Sequence, residues 1–128
     1  MKKVLVFGGR KFTNYDALHR ILDGRYEGQE IKVISGLAPG TDQLGARWAK
    51  EHGHEVVPFR PDWKKYRKGA GIIRNTDMVN ALDDVEDEAI GFWDGISTGT
   101  KDTIDKLEAS KKKFMIIKYS PDDIEGHA

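Results

Sequence analysis

Short apolar runs and amphipathic segments alternate five times along the 128 residues of the chain, and this alternation restricts the fold more than any other feature. The runs lack polar alternation, which is typical of strands buried on both faces of a sheet. The segments between them carry apolar residues at the spacing of one helix face. Repeated strand–helix units predict an α/β fold in three layers, with a five-stranded, mainly parallel sheet and helices on both faces. The predicted strands are residues 3–7, 31–35, 54–59, 89–93 and 114–117, helices are predicted to begin near residues 14, 41, 70 and 97–98, and residues 60–68 are predicted to form a long loop.

Three of the predicted strands end in glycine-bearing turns, at residues 7–10, 35–42 and 94–100. A strand that ends in glycines and opens a helix leaves unpaired N–H groups, which together with the helix dipole favour an anion such as a phosphate. Ligands of parallel α/β sheets bind beyond the carboxyl ends of the strands, where the winding direction reverses. The three turns therefore predict one nucleotide pocket at this edge of the sheet.

The first turn departs from the common nucleotide-binding motifs. The chain contains neither the G-x-G-x-x-G fingerprint nor the Walker lysine motif. Gly8 and Gly9 would allow a ligand to approach the backbone, and Arg10 is a candidate phosphate clamp. The alternative is a tight turn with Arg10 in solvent.

The second and third turns supply most of the other candidate ligand-binding residues. In the second turn, Asp42 is expected to accept a ribose hydroxyl or, alternatively, to cap the following helix, as Thr41 also could. In the third turn, hydroxyl groups and bare N–H groups predict a phosphate site that needs no lysine, with Asp94 beside it. Plain turn and capping roles are the alternatives. The candidates are Ser35, Gly36, Gly40, Thr41 and Asp42 in the second turn, and Asp94, Gly95, Ser97, Thr98, Gly99 and Thr100 in the third.

A basic stretch lies between the second and third turns. Arg74 and Asn75 come near the start of an apolar helix, so they are expected either to face the pocket or to lie on an exposed helix face. Trp63 and Tyr66, interleaved with lysines and arginine, are expected to stack on a base or to pack a long loop.

Composition narrows the class of protein. Equal numbers of basic and acidic residues, 21 of each, provide no global attraction to nucleic acid. The chain has no cysteine and no run long enough to span a bilayer, and its first apolar stretch stops at Gly8, too short for the core of a signal peptide. We therefore expect a cytoplasmic protein without membrane association. The four histidines lack a metal-binding spacing, and we predict neither a metal site nor a cofactor. Residues 1–119 are expected to form a single domain, followed by a polar tail over residues 120–128.

Five motifs together resemble one family. The chain reads GGRKFT from residue 8, ISGLAPGTD from 34, FRPDW from 59, RNTDM from 74 and FWDGISTGT from 92. In this order they resemble the YspA-like family of bacteria and phages. That family belongs to the SLOG superfamily, together with the DNA-processing Smf/DprA proteins and the Lonely guy phosphoribohydrolases. The resemblance implies a Rossmann-like sheet and a nucleotide or nucleotide-derived ligand.

The Lonely guy enzymes offer a looser comparison. They cleave the N-glycosidic bond of nucleoside monophosphates with an arginine in an R-K-x-x-M-type helix and a glutamate in P-G-G-x-G-T-x-x-E. Arg74 resembles the arginine, but the glutamate position falls on Thr103, which cannot act as a carboxylate base. Asp102 and Asp94 are the possible substitutes.

Three functions follow from these observations as hypotheses. The first is a nucleotide-binding sensor or sequestering module, which could also form a homodimer. The second is a nucleotide N-glycosidase in which Arg74 positions phosphate and Asp94 or Asp102 stabilises positive charge on the ribose. The third is single-stranded nucleic-acid binding, which the zero net charge makes the least favoured.

Overall fold

The computed structural model describes residues 1–120, so residues 121–128 of the predicted polar tail lie outside the described part. Five strands and five α-helices follow one another within this described part. In order they are β1 (Lys2–Gly8), α1 (Tyr15–Tyr26), β2 (Ile31–Ser35), α2 (Thr41–Glu51), β3 (Glu55–Pro58), α3 (Trp63–Tyr66), a 3₁₀ turn (Arg67–Gly69), α4 (Ala70–Asn80), β4 (Glu88–Trp93), α5 (Thr98–Ala109) and β5 (Lys113–Lys118).

The five strands form one sheet in the order β3-β2-β1-β4-β5, and every neighbouring pair is parallel. The chain winds outward from β1 through β2 to β3, then crosses back to place β4 on the other side of β1. The winding direction therefore reverses between β1 and β4, and in such sheets the crevice beyond the carboxyl ends at this point is where ligands bind. The α/β, Rossmann-like prediction is confirmed, with a sheet that is wholly parallel.

Helices cover both faces of the sheet, as predicted. Along β1, Val4 and Val6 pack with α1 and α2, while Leu5 and Phe7 pack with α4 and α5. This division follows from the period of two in a strand, which sends successive side chains to opposite faces. All four side chains are buried, which explains why the run shows no polar alternation.

The start of α1 agrees with the sequence prediction, whereas α2 and α3 differ from it. Asn14 caps α1, because its side chain accepts a hydrogen bond from the Ala17 N–H at 3.1 Å. Residues 60–68 hold the short helix α3, which Asp62 caps through the Lys65 N–H; the prediction of an unbroken loop is wrong there. The cap of α2 is Gly40, and no side chain caps that helix, so the predicted capping roles of Thr41 and Asp42 are also wrong.

A buried carboxylate, that of Glu88 at the start of β4, joins the end of α1 to the amino edge of the sheet. Glu88 is 3% exposed, and its Oε2 accepts hydrogen bonds from Arg25 Nε and the Tyr26 hydroxyl, both at 2.7 Å. The Lys2 ammonium lies 3.0 Å from Oε1. Burial alone would raise the pKa of Glu88, but the hydrogen bonds from Tyr26, Lys2 and Arg25 outweigh it and lower that pKa to about 2.

Candidate functional site

The first and third glycine turns surround one cleft of about 510 Å³ beyond the carboxyl ends of β1 and β4. The size is that of a typical small-molecule site. Its walls come from β1 and the turn after it, the turn before α2, α4, and the turn into α5. The lining residues are Phe7, Gly8, Gly9, Arg10, Lys11, Ala38, Asp42, Arg74, Asn75, Met78, Asp94, Ile96, Ser97, Thr98, Gly99, Thr100 and Thr103.

The first turn, which follows β1, packs closely against the end of β4. A Cβ at Gly8 would lie 2.4 Å from the Phe92 carbonyl oxygen, so only glycine fits there. The Gly9 N–H donates to that same oxygen at 3.1 Å. Arg10 follows on the rim with an exposed side chain, beside Lys11. Both cations are therefore available to a ligand in the cleft.

Most of the second turn packs against the first turn and does not line the cleft. The buried Ser35 hydroxyl donates to the Asp42 carbonyl oxygen at 3.0 Å and accepts the Leu37 N–H at 3.1 Å. The Thr41 hydroxyl and N–H both donate to the Gly9 carbonyl oxygen at 3.1 Å. These bonds join the second turn to the first. Ser35 and Thr41 do not line the cleft, and their hydroxyls are used in these contacts.

Two glycines of the second turn serve the same packing. Gly40 has φ +81°, and a Cβ there would lie 2.4 Å from the Gly9 carbonyl oxygen. A Cβ at Gly36 would lie 2.4 Å from Arg74 Nη1. Neither glycine lines the cleft, and the same holds for Gly95 in the third turn, which has φ +83°. The structure therefore places these three predicted ligand residues beside the cleft rather than in it.

Asp42 is the buried carboxylate of the cleft. It is 4% exposed, and burial raises its pKa to about 6 because the charged form loses its hydration. The charges of Arg74 and Arg10 and the N–H groups of Ala38 and Gly8 oppose this rise without cancelling it. A carboxylate of this kind readily accepts hydrogen bonds from the hydroxyl groups of a ligand, since these replace the water it has lost.

Arg74 and Asn75 face the cleft from α4, and the alternative of an exposed helix face is wrong for both. Arg74 is 9% exposed and Asn75 is 6% exposed. Arg74 donates from Nη1 to the Gly36 carbonyl oxygen at 2.9 Å and from Nε to Asn75 Oδ1 at 3.0 Å. Burial lowers the pKa of Arg74, and the charge of Arg10 adds to that effect. Within residues 1–120, Nη2 has no hydrogen-bond partner, which leaves it for a ligand.

The third turn places the N-terminal end of α5 against the cleft. Asp94 accepts the N–H groups of Ile96 and Ser97 on Oδ1, both at 2.8 Å, and these bonds lower its pKa, that of Ser97 most. No side chain caps α5. Across residues 1–120, the N–H groups of Thr98, Gly99 and Thr100 have no hydrogen-bond partner. Three donors and the positive end of the helix dipole thus meet the cleft together.

The candidate catalytic residues are divided between two places. Asp94 lies on the cleft wall, whereas Asp102 does not. Asp102 is held on the α4 side of α5, where it accepts hydrogen bonds from Asn75 Nδ2 at 3.1 Å and from Lys106 Nζ at 2.6 Å. Thr103 lies on the wall instead, and its hydroxyl donates to the Gly99 carbonyl oxygen at 3.4 Å. The helical period turns Asp102 away from the position where Thr103 faces the cleft.

Several cleft residues were missed by the sequence analysis. Lys11 had a signal in the sequence, because it adjoins Arg10, and Ile96 had one, because it is an apolar residue within the third glycine turn; the structure leaves its side chain 71% exposed. Phe7 and Met78 read as core residues and are also cleft walls. Tyr119, which follows β5, does not line the cleft, but its buried hydroxyl packs against Gly9 of the first turn and has no hydrogen-bond partner within residues 1–120. No local pattern identifies a residue of that kind.

Comparison with known proteins agrees with this architecture. The model of the YspA, cpYpsA-related SLOG family matches residues 2–66, which include β1, β2 and the first two turns. The chain belongs to this family. Gene 61 protein of Mycobacterium phage D29 is 34% identical over 128 aligned positions, which take in 93% of this chain and 97% of the phage protein. Membership of the SLOG family points to nucleotide-related binding or processing in general. Within residues 1–120, no helix is long and apolar enough to cross a membrane.

Proposed function

We propose that this SLOG protein binds a nucleotide or nucleotide-derived molecule in the cleft between the first and third turns. The observation that carries the proposal is the start of α5, where three N–H groups that have no partner among residues 1–120 open into a cleft that two arginines also line. Backbone donors of this kind, together with the helix dipole, favour a phosphate. The zero net charge of the chain does not oppose this, because the positive groups are local.

The three cations of the cleft, Arg10, Lys11 and Arg74, would contact different sides of the phosphate. Arg10 and Lys11 lie on the rim, where they attract an anion and contact its outer oxygens. Arg74 is buried and held in place by the Gly36 carbonyl oxygen, so its Nη2 is a fixed donor on the inner wall. The hydroxyls of Ser97 and Thr100, which lie 3.2 Å apart, add further hydrogen-bonding groups beside the helix start.

The ribose and base would occupy the part of the cleft next to Asp42. Its buried carboxylate suits the hydroxyls of a ribose, whose hydrogen bonds would favour its charged form. Ile96, whose side chain is 71% exposed, supplies apolar surface for a base at the cleft wall. Recognition of a phosphate, a sugar and a base by separate groups describes a binding module, such as a sensor or a sequestering protein.

A second candidate function is hydrolysis of a nucleotide N-glycosidic bond. The observation that favours it is Asp94, whose lowered pKa keeps it ionised on the cleft wall while Oδ2 has no partner within residues 1–120. An ionised carboxylate can stabilise positive charge on a ribose. Asp102 contributes less to this candidate, because it is held outside the cleft by Asn75 and Lys106.

Thermal shift with nucleotides tests the proposal. The panel contains inorganic phosphate, nucleoside mono- and diphosphates, ADP-ribose and NAD. A ligand present at one hundred times its Kd stabilises the protein by about 2.7 kcal/mol, which raises Tm by roughly 8 °C for a chain of this size. Isothermal titration of the best ligand then gives its Kd. No stabilisation by any nucleotide would overturn the proposal.

Thr98→Asp is the sharpest variant for the phosphate site. The new carboxylate lies in the first turn of α5, where it interacts favourably with the positive end of the helix dipole, so folding is preserved. The same negative charge repels a phosphate bound there. We expect at least a tenfold loss of affinity. The matched control is Asn80→Asp, which adds the same charge at an exposed residue at the end of α4, away from the cleft. Equal binding by both variants would place the phosphate elsewhere.

Incubation with the best ligand separates binding from cleavage. A binding module releases no free base over many hours, whereas a glycosidase releases base at a rate that Asp94→Asn abolishes. Asp102→Asn is expected to leave any such rate nearly unchanged, because its carboxylate does not reach the cleft. Base release that persists in both variants would contradict these catalytic assignments.

A further inference from the structure

A cluster of two histidines and one aspartate lies at the end of the molecule opposite the cleft. His19 and Asp23 are four residues apart on α1 and so share one helix face. His52 is the residue that ends α2. Both helices run antiparallel to the strands they follow, so their ends lie at the amino edge of the sheet. We propose that His19, Asp23 and His52 bind a transition-metal ion of the Zn²⁺ type.

The ligand atoms are already near the spacing that such an ion requires. His19 Nδ1 lies 3.1 Å from Asp23 Oδ2, and His52 Nε2 lies 2.9 Å from Asp23 Oδ1. One atom from each residue can be chosen so that all three lie within 4.8 Å of one another. Metal–ligand distances of about 2.0–2.1 Å in a tetrahedral site correspond to ligand atoms roughly 3.3 Å apart. The two imidazole–carboxylate distances are slightly shorter than that spacing, so a small outward shift of the rings makes room for the ion.

The contacts of His52 leave Nε2 as the ring nitrogen that faces Asp23. Its Nδ1 lies 2.9 Å from the Trp48 carbonyl oxygen, which can only accept, so Nδ1 carries the proton. Nε2 lies at hydrogen-bond distance from an aspartate oxygen, which only accepts. A metal ion that binds here takes the place of a proton between these two atoms, as metal binding to histidine does in general.

Outer contacts hold the cluster in the form that a metal site needs. The Nδ1–H bond to a backbone carbonyl selects the tautomer of His52 whose Nε2 is free to ligate. The indole N–H of Trp48 donates to Asp23 Oδ1 at 2.9 Å, and the Trp48 ring stacks on His52 at 4.8 Å between centroids. Trp48 is only 1% exposed, so both ligands are positioned by a residue of the core.

The donor set and its exposure identify the class of ion. Two imidazole nitrogens and one carboxylate oxygen suit Zn²⁺, Co²⁺, Ni²⁺ or Cu²⁺ rather than Mg²⁺ or Ca²⁺. The side chains of His19, Asp23 and His52 are 41%, 35% and 32% exposed, so an ion can enter from solvent and keep a water as a further ligand. The ion would join α1 to the end of α2. None of the three residues lines the cleft.

Cobalt titration of the full chain tests the site. After removal of metal with a chelator, Co²⁺ is added and its visible absorption bands are followed, with Zn²⁺ as competitor. We expect one equivalent of Co²⁺ to give bands that Zn²⁺ removes. Zn²⁺ at one hundred times its Kd is also expected to raise Tm by roughly 8 °C. Absence of both effects would overturn the proposal.

Variants locate the ion within the chain. Asp23→Asn removes the charged ligand but keeps an oxygen for the Trp48 indole, and His19→Ala removes the most exposed ligand. Each should abolish the cobalt bands. The matched controls are His54→Ala, which removes a neighbouring ring that is not in the cluster, and His127→Ala, which removes the histidine outside residues 1–120. Bands that survive Asp23→Asn, or that either control abolishes, would refute the assignment.

Discussion

Replacing Asp42 by asparagine should stabilise the ligand-free protein at neutral pH and weaken nucleotide binding at the same time. Asp42 is 4% exposed, and its pKa rises from the ordinary value of 3.8 to about 6. The folded protein therefore holds a proton on this group more tightly than the unfolded chain does. Stability contributed by Asp42 is complete below about pH 4, decreases as the pH rises towards 6, and is lost above that value.

The size of the effect follows from the two pKa values of Asp42. At about 1.4 kcal/mol for each pH unit between them, deprotonation lowers the free energy of unfolding by about 3 kcal/mol. Asparagine has a similar shape and no charge, but it replaces one acceptor oxygen by a donor, which costs about 1 kcal/mol. Asp42→Asn should therefore be about 2 kcal/mol more stable than the parent protein at pH 8 and about 1 kcal/mol less stable at pH 4.

Urea unfolding of both proteins from pH 4 to pH 8 measures this difference. Other titrating groups, such as Glu88 with its pKa of about 2, act equally in both proteins and cancel in the difference. Asp77→Asn, at an exposed position of α4, is the matched control, because it makes the same change of residue outside the cleft. If the free energy of unfolding of Asp42→Asn relative to the parent protein stays constant or falls from pH 4 to pH 8, the reasoning is refuted. The rise in Tm that nucleotide causes should be smaller for Asp42→Asn than for the parent protein, because the neutral amide is a weaker acceptor for ribose hydroxyls.

Three further predictions concern folding and the exposed basic segment. Glu88→Gln should cost about 2–4 kcal/mol in urea unfolding at pH 7, and the cost should shrink as the pH falls from about 4.5 towards 2, because the parent carboxylate then becomes protonated and loses its contribution. Gly40→Ala should lower stability by more than about 1 kcal/mol in the same assay, since φ is +81° and the new Cβ would meet the Gly9 carbonyl oxygen. Trp63→Ala, at a side chain that is 54% exposed, should leave the thermal response to nucleotides unchanged; if it abolishes salt-sensitive binding of a single-stranded oligonucleotide in a filter assay, α3 is a nucleic-acid surface.

Much of the site was predictable because its parts are local in sequence. Gly8, Gly9 and the residues from Ser97 to Thr100 follow buried strands directly, and strand ends in a parallel sheet must meet at one edge. Arg74 and Asn75 were predictable as polar residues at the start of an apolar helix. Ser35, Gly36, Gly40 and Thr41 have the same local character, yet they pack behind the cleft. Whether a polar group faces a ligand or a neighbouring turn depends on contacts with residues far away in sequence.

The sequence alone determined the strands, most of the helices and the parallel sheet, because alternation and period depend on residues a few positions apart. Tertiary structure decided what depends on distance in space. It set the strand order that opens a crevice between β1 and β4, and it buried Asp42 deeply enough to raise its pKa to about 6. It also brought His52 beside Asp23, although spacing along the chain predicted no metal site. Burial and ligand geometry arise from packing between helices, which no window of sequence contains.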